Sequence, residues 1–145
     1  MAVTNIRSAT PEDAALIHAF ILGLAEYERM LDQVQATPES IREALFPADD
    51  RPVAQCVIGE LDGRPAGFAL FFYNFSTFVG RPGLYLEDLF VIPEHRGQGL
   101  GKALLLHLAQ LAHDRGCGRM EWSVLDWNAP AIAFYESLGA CRLRE

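Results

Sequence analysis

Residues 85–104 read YLEDLFVIPEHRGQGLGKAL, in which Glu87 and Asp88 interrupt an apolar run and Gly97, Gly99 and Gly101 alternate behind Arg96. The glycine turn is chemistry for an anion. A helix N-terminus presents unpaired N–H groups and the positive end of its dipole. Glycine lets backbone curl around a ligand with no Cβ in the way, and Arg96 and Lys102 add positive charge at either end. A phosphate-rich ligand follows. A P-loop would need glycine at 96 and serine or threonine at 103, where the chain has Arg96 and Ala103, so an ATP or GTP cradle is excluded. The dinucleotide pattern G-x-G-x-x-G fails as well, because these glycines recur at every second position. What remains is Arg96-x-x-Gly99-x-Gly101, opening a helix after an apolar strand.

The elements that position this turn are legible in outline. Tyr85 to Ile92 is a strand ended by Pro93, and Gly99 to Arg115 an amphipathic helix with Leu100, Leu104, Leu108, Leu111 and Ala112 on one face. Val3 to Ile6 is a first short strand. Thr10-Pro11-Glu12-Asp13 opens a helix that the spacing of Leu16, Ile17, Phe20, Ile21, Leu24 and Ala25 extends to about Met30. Thr37-Pro38-Glu39-Ser40 opens a second. Ala54 to Leu61 and Pro65 to Tyr73, joined at Asp62-Gly63, form a hairpin, followed by a loop over residues 74–83. Arg119 to Val124 is a strand and Ala129 to Leu138 a last helix, stopped by Gly139. The order β-α-α-β-β-β-α-β-α predicts one mixed α/β domain over residues 1–145, with a parallel crossover near its centre.

Composition narrows the partners. The 145 residues are 50% hydrophobic with a net charge of −7, which suits a compact domain and supplies no basic stripe for nucleic acid. The acidic balance agrees with a cationic substrate. Cys56, Cys117 and Cys141 are odd in number and widely spaced, as in reduced cysteines of a cytoplasmic protein. No apolar run approaches the roughly 20 residues of a membrane span. His18, His95, His107 and His113 show no metal-ligand spacing, so no metal is expected.

The turn Arg96-Gly97-Gln98-Gly99-Leu100-Gly101 resembles the pyrophosphate-binding motif of the GNAT superfamily of acetyl-CoA-dependent N-acetyltransferases. The second hallmark of that family is matched by WNAPAIAFYESLGA, with Asn128, Ala131, Phe134, Tyr135 and Gly139 in the expected order. Together with LAEYERMLDQV, these segments are similar to the spermidine/spermine N-acetyltransferase-like branch. The resemblance implies a GNAT-like splayed mixed sheet flanked by helices, acetyl-CoA as cosubstrate, a small amine as acceptor, and a homodimer.

It also implies roles. Backbone groups of Leu89, Phe90 and Val91 hold the pantetheine amides and offer N–H to the thioester oxygen. Residues 96–102, namely Arg96, Gly97, Gln98, Gly99, Leu100, Gly101 and Lys102, hold the pyrophosphate, and Asn128 and Ala131 support the cofactor arm. Tyr135, a phenol that stays protonated at pH 7, is placed beside the cofactor as donor to the departing sulfur. The amine arrives as a cation with a pKa near roughly 10.4. By period-two geometry Glu87 and Asp88 take opposite faces, one reaching the cleft and the other a structural contact; the resemblance makes Glu87 the substrate-side acid and candidate base, and Asp88 either a second substrate-binding acid or the structural one. Tyr27 and Glu28 match amine-contacting positions. Glu28 and Asp32, four apart on one helix face, either bracket a second charge of a diamine or form a solvated acidic end. Trp122 and Trp127 either line the cleft or pack in the core.

Two departures accompany the resemblance. Members continue through two more strands where this sequence ends at Glu145, so a sheet lacking its C-terminal strand or strands is expected, with residues 141–144 the segment that could begin one. Leu138 stands where the polyamine branch tends to carry a basic residue. The competing functional readings are transfer to another acceptor, such as an amino acid, an aminoglycoside or a protein N-terminus, and a non-catalytic acyl-CoA-binding regulatory module.

Overall fold

The computed structural model describes residues 2–125 and 127–141. In chain order the elements are β1 (Thr4–Ser8), α1 (Ala14–Tyr27), α2 (Pro38–Leu45), β2 (Gln55–Leu61), β3 (Arg64–Ser76), β4 (Arg81–Val91), α3 (Leu100–Asp114), β5 (Arg119–Trp122) and α4 (Ala129–Ser137). They form one five-stranded sheet in the order β1-β2-β3-β4-β5, antiparallel except for the parallel β4–β5 pair. The expected mixed α/β order holds. Cys141 is the last described residue, so the possible strand over 141–144 lies outside the described residues from Arg142 onward.

The sheet is buried on both faces. Leu84, Leu86, Leu100, Leu104 and Leu108 form the core under α3. Ile17, Phe20, Ile41, Leu45, Ile58, Phe68 and Phe90 form the core under α1 and α2. Each fully buried aliphatic or aromatic side chain contributes about 1.5–3 kcal/mol, and the two layers hold β3 and β4 rigidly between the helices.

The residues from 74 to 83 do not form the predicted loop. Asn74, Pro82 and Gly83 are turn-like residue types, yet β3 and β4 stay paired out to Ser76–Arg81, and only residues 77–80 turn. The Gly80 N–H donates to the Ser76 carbonyl at 2.8 Å, with Gly80 at φ 73°.

The first helix also stops earlier than its apolar pattern suggests, at Tyr27. Arg29 takes a left-handed φ of 60°. Its N–H bonds the Glu26 carbonyl at 3.1 Å and that of Met30 the Ala25 carbonyl at 2.8 Å, the paired bonds that close a helix at a residue usually glycine. Asp32 therefore sits in a separate 3-10 turn, Leu31–Gln33. Glu28 and Asp32 do not share a helix face, which corrects the diamine bracket expected from their spacing.

At the far edge, Arg7 ties β1 to the start of α1 and to β2. Its guanidinium donates to Asp13 at 2.7 and 3.0 Å and to Glu60 at 3.0 Å. The Arg7 bond is the largest cause holding the Asp13 carboxyl down at about 2, against an ordinary 3.8, with the Thr10 N–H assisting. A depressed carboxylate stabilises the fold above its unfolded pKa and loses that contribution as pH falls through the folded value. Asp13→Asn should cost about 1–2 kcal/mol in urea denaturation at pH 7, discounted for the 32% exposure of the Arg7 side chain. The difference from the parent should vanish on approaching pH 2.

Candidate active site

The site is a gap that the sheet itself creates. β5 pairs with β4 only from Gly83–Arg119 to Leu86–Trp122, and β4 then runs on to Val91 without it. The strand's own hydrogen bonding shows which groups face the gap. A Cβ on Gly67 would collide with the Phe90 carbonyl at 2.5 Å, and the Ile92 N–H reaches the Ala66 carbonyl at 2.9 Å. Phe90 and Ile92 thus point their backbone at β3. By alternation Leu89 and Val91 turn theirs to the open side. Of the three strand residues expected to bind pantetheine, Leu89 and Val91 turn their backbone to the open side and Phe90 does not.

A cleft of about 410 Å³ follows this edge, within the size range of small-ligand sites. At one end lies the glycine turn. Gly97 and Gly99 have φ values of 81° and 83°, and a Cβ on either would meet nothing within 4 Å. No side chain caps α3 at Gly99, so its first-turn amides are left to an external acceptor. The concave backbone suits an anion such as a pyrophosphate, with Arg96 and Lys102 adjoining it in the cleft lining. Leu100 is 1% exposed, packing into the core under α3, and it also lines the cleft beneath the turn. Gln98 is exposed and stands outside the cleft lining.

A β-bulge builds the other end. The register passes from Leu70–Asp88 to Phe71–Leu86 and leaves Glu87 without an opposite residue. Leu84 and Leu86 point to the α3 core before the bulge, whereas Leu89 and Val91 pack against that core after it. The parity of the strand has switched, and Glu87 and Asp88 both come to the α1 side. This corrects the expectation that they take opposite faces. Glu87 is exposed and Asp88 half-buried. Burial first, then the nearby charges of Glu87 and Glu28, push the Asp88 carboxyl up to about 6. Glu28, capping α1, is raised by burial. Asp32 is exposed and outside the lining.

α4 closes the cleft opposite the carboxylates. Asn128 is 5% exposed, and its Oδ1 accepts from the Ala131 N–H at 3.3 Å and from the Tyr27 hydroxyl at 3.2 Å. One asparagine therefore caps α4 and anchors it to the end of α1. Two turns later, the Tyr135 ring packs 5.0 Å from Trp122 and 5.4 Å from Phe134. Burial, with the charges of Glu28 and Asp88 behind it, raises the Tyr135 phenol to about 12. Trp122 lines the cleft, while Trp127 is 51% exposed against Tyr27 at 6.3 Å.

Leu24, His95, Ser123, Val124, Pro130 and Phe134 also line the cleft, although residue type gave no role in it to any of them. For Ser123 the usable signal was its place at the end of β5, where it meets the Tyr85 hydroxyl at 2.8 Å. Among the described residues, no group of three or more His, Cys, Asp or Glu is placed to hold a metal ion, and no helix is long and apolar enough to cross a membrane.

Comparison with known proteins agrees with this geometry. The family profile described as Acetyltransferase (GNAT) family matches residues 21–140. A thialysine N-epsilon-acetyltransferase of Bos taurus is 38% identical, over 100% of this chain and 88% of its own. An L-ornithine N5-acetyltransferase of Arabidopsis thaliana is 31% identical, over 98% of this chain and 81% of its own. A crystal structure of a probable acetyltransferase superposes with a TM-score of 0.80 at 27% identity, covering 97% of this chain and 91% of that one.

Proposed function

This chain belongs to the acetyltransferase (GNAT) family, in its diamine acetyltransferase-like branch, and from that premise we propose that it moves an acetyl group from acetyl-CoA to a primary amine of a small cationic molecule. The acceptor class is a polyamine, a diamine or a lysine-like compound. The relatives named for thialysine and ornithine favour the lysine-like member. One observation carries the reading: a single strand turns backbone groups to an open edge beside a glycine turn and, at its bulge, sets two carboxylates beside the same cleft.

Acetyl-CoA supplies an activated acetyl group. The chain does the rest. The amides of Leu89 and Val91 hold an extended arm as an added strand would, and Gly97, Gly99 and the first turn of α3, with Arg96 and Lys102, take the phosphates. Glu28, Glu87 and Asp88 attract the ammonium. Asp88, held near 6, is matched to accepting its proton at neutral pH, and exposed Glu87 relays it through water. This shifts the base assignment from Glu87 toward Asp88, because the bulge brings both into the cleft and Asp88 is the more buried of the two. The Tyr135 phenol, raised to about 12, remains protonated and donates to the sulfur. Tyr27 and Asn128 hold α4 so that Tyr135 meets the strand edge. The same reading has the protein act in the cytoplasm as a homodimer, with its three cysteines free.

The test is thiol release from acetyl-CoA with thialysine, ornithine, lysine, putrescine, spermidine, unrelated amino acids and aminoglycosides. Release with at least one of the basic small amines is expected. Measurable acetyl-CoA binding without release on any amine would instead identify a regulatory acyl-CoA-binding module.

A further inference from the structure

Arg96 is the first residue of the glycine turn, but its side chain is not directed at the turn. Nε donates to the Val91 carbonyl at 3.0 Å. The guanidinium carbon lies 4.9 Å over the Tyr27 ring and 5.6 Å from that of Phe90. Val91 is one of the two residues whose backbone faces the open side of β4, so the arginine occupies an acceptor on the edge that an added strand would use. It also bridges that edge to the end of α1. Among the described residues, Arg96 has no carboxylate partner.

We propose that Arg96 is a displaceable occupant of the pantetheine edge: it holds the Val91 carbonyl and the Tyr27 face, and exchanges them for phosphate oxygens when the cofactor enters. The inference rests on the acetyl-CoA reading above. The chemistry favours the exchange in one direction only. A neutral carbonyl and two aromatic faces at an exposed site are weak partners for a guanidinium, and a phosphate offers a stronger, charge-assisted and bidentate one. Gly97, at φ 81° with open space around it, is the adjoining backbone position. Departure of Arg96 also uncovers Tyr27, which holds Asn128 and stands next to Glu28. Cofactor entry is thereby linked to the amine end of the cleft.

The discriminating probe is pantetheine, which has the arm and lacks the phosphates. Its affinity and that of CoA are measured by competitive calorimetry on the parent chain, Arg96→Ala and Arg96→Lys, with folding of each checked by circular dichroism. Arg96→Ala should bind pantetheine about three- to tenfold tighter, since one backbone hydrogen bond and two stacking contacts no longer compete, while CoA binding weakens because the charge-assisted phosphate contact is lost. Arg96→Lys keeps the charge without the flat face and should gain less; if the alanine variant does not fold, the lysine variant alone should still gain. Pantetheine binding that is unchanged or weaker in the folded variant overturns the displacement. Failure of the parent chain to bind CoA would instead overturn the acetyl-CoA reading, so the two failures are distinguishable.

Discussion

Tyr135→Phe is expected to lower kcat by about 10²-fold near pH 7, the lower end of the range for losing a general acid. The low end applies because the departing thiolate, with a pKa near roughly 8.5, is a moderate base at that pH. The affinity for acetyl-CoA should change little, because phenylalanine keeps the packing against Trp122 and Phe134 and the lost proton matters only in the transition state. The pH dependence separates this role from packing. Above the pKa of the thiol, the leaving sulfur needs no proton, so the gap between the parent and Tyr135→Phe should narrow as pH rises through about 8.5. The parent phenol adds no alkaline limb of its own, because burial holds it near 12. A packing defect would give a gap independent of pH. Pre-steady-state and steady-state rates from pH 6.5 to 9.5 check this, and an unchanged kcat removes Tyr135 as the acid.

The parts of this site that sequence conveys are those in which one residue type answers one backbone demand. Gly97 and Gly99 stand at positive φ because the turn needs it, and Asn128 caps α4 because it is a good capping residue at a helix start. The parts that sequence hides depend on register. A one-residue bulge changes which face every later side chain takes, yet it leaves local composition untouched. A trace of it was present all the same: Leu84 and Leu86 are two apart, but the next side chain on that core is Leu89, an odd step from Leu86. The end of α1 left no comparable trace. Its closing residue is Arg29, where the geometry calls for glycine or asparagine, so the apolar spacing ran on and carried Asp32 onto a helix it does not join. The hairpin over 74–83 was hidden for a related reason. Pro82 lacks an N–H, but it lies one residue beyond the first β5 partner, Gly83, where its carbonyl still accepts from Gly118 at 2.9 Å.

Asp88→Asn should lose activity and gain stability together. A carboxylate pushed up to about 6 by burial and by Glu87 and Glu28 is held by the fold at a cost. Because the folded pKa lies above the unfolded 3.8, the native state binds the proton more tightly than the unfolded chain. Stability therefore falls as pH rises from about 4 to about 6 and stays lower above that window. The amide has nearly the same shape and no charge, so the variant should be more stable than the parent by about 2 kcal/mol at pH 8, with the difference gone near pH 4. A carboxylate with only a structural contact would show the opposite sign. In kinetics, kcat/KM of the parent should fall as pH drops through about 6, as the acid that must accept the proton fills. The Asp88 titration feels the charges of Glu87 and Glu28, and a bound ammonium stabilises the charged form. The acidic limb in kcat should thus lie at lower pH than that in kcat/KM, which a neutral acceptor would not produce. Asp88→Asn should remove the limb and about 10² of kcat/KM. If the limb survives in Asp88→Asn and disappears in Glu87→Gln, the proton goes to the exposed carboxylate, and the burial of Asp88 serves the strand's bulge instead of the chemistry.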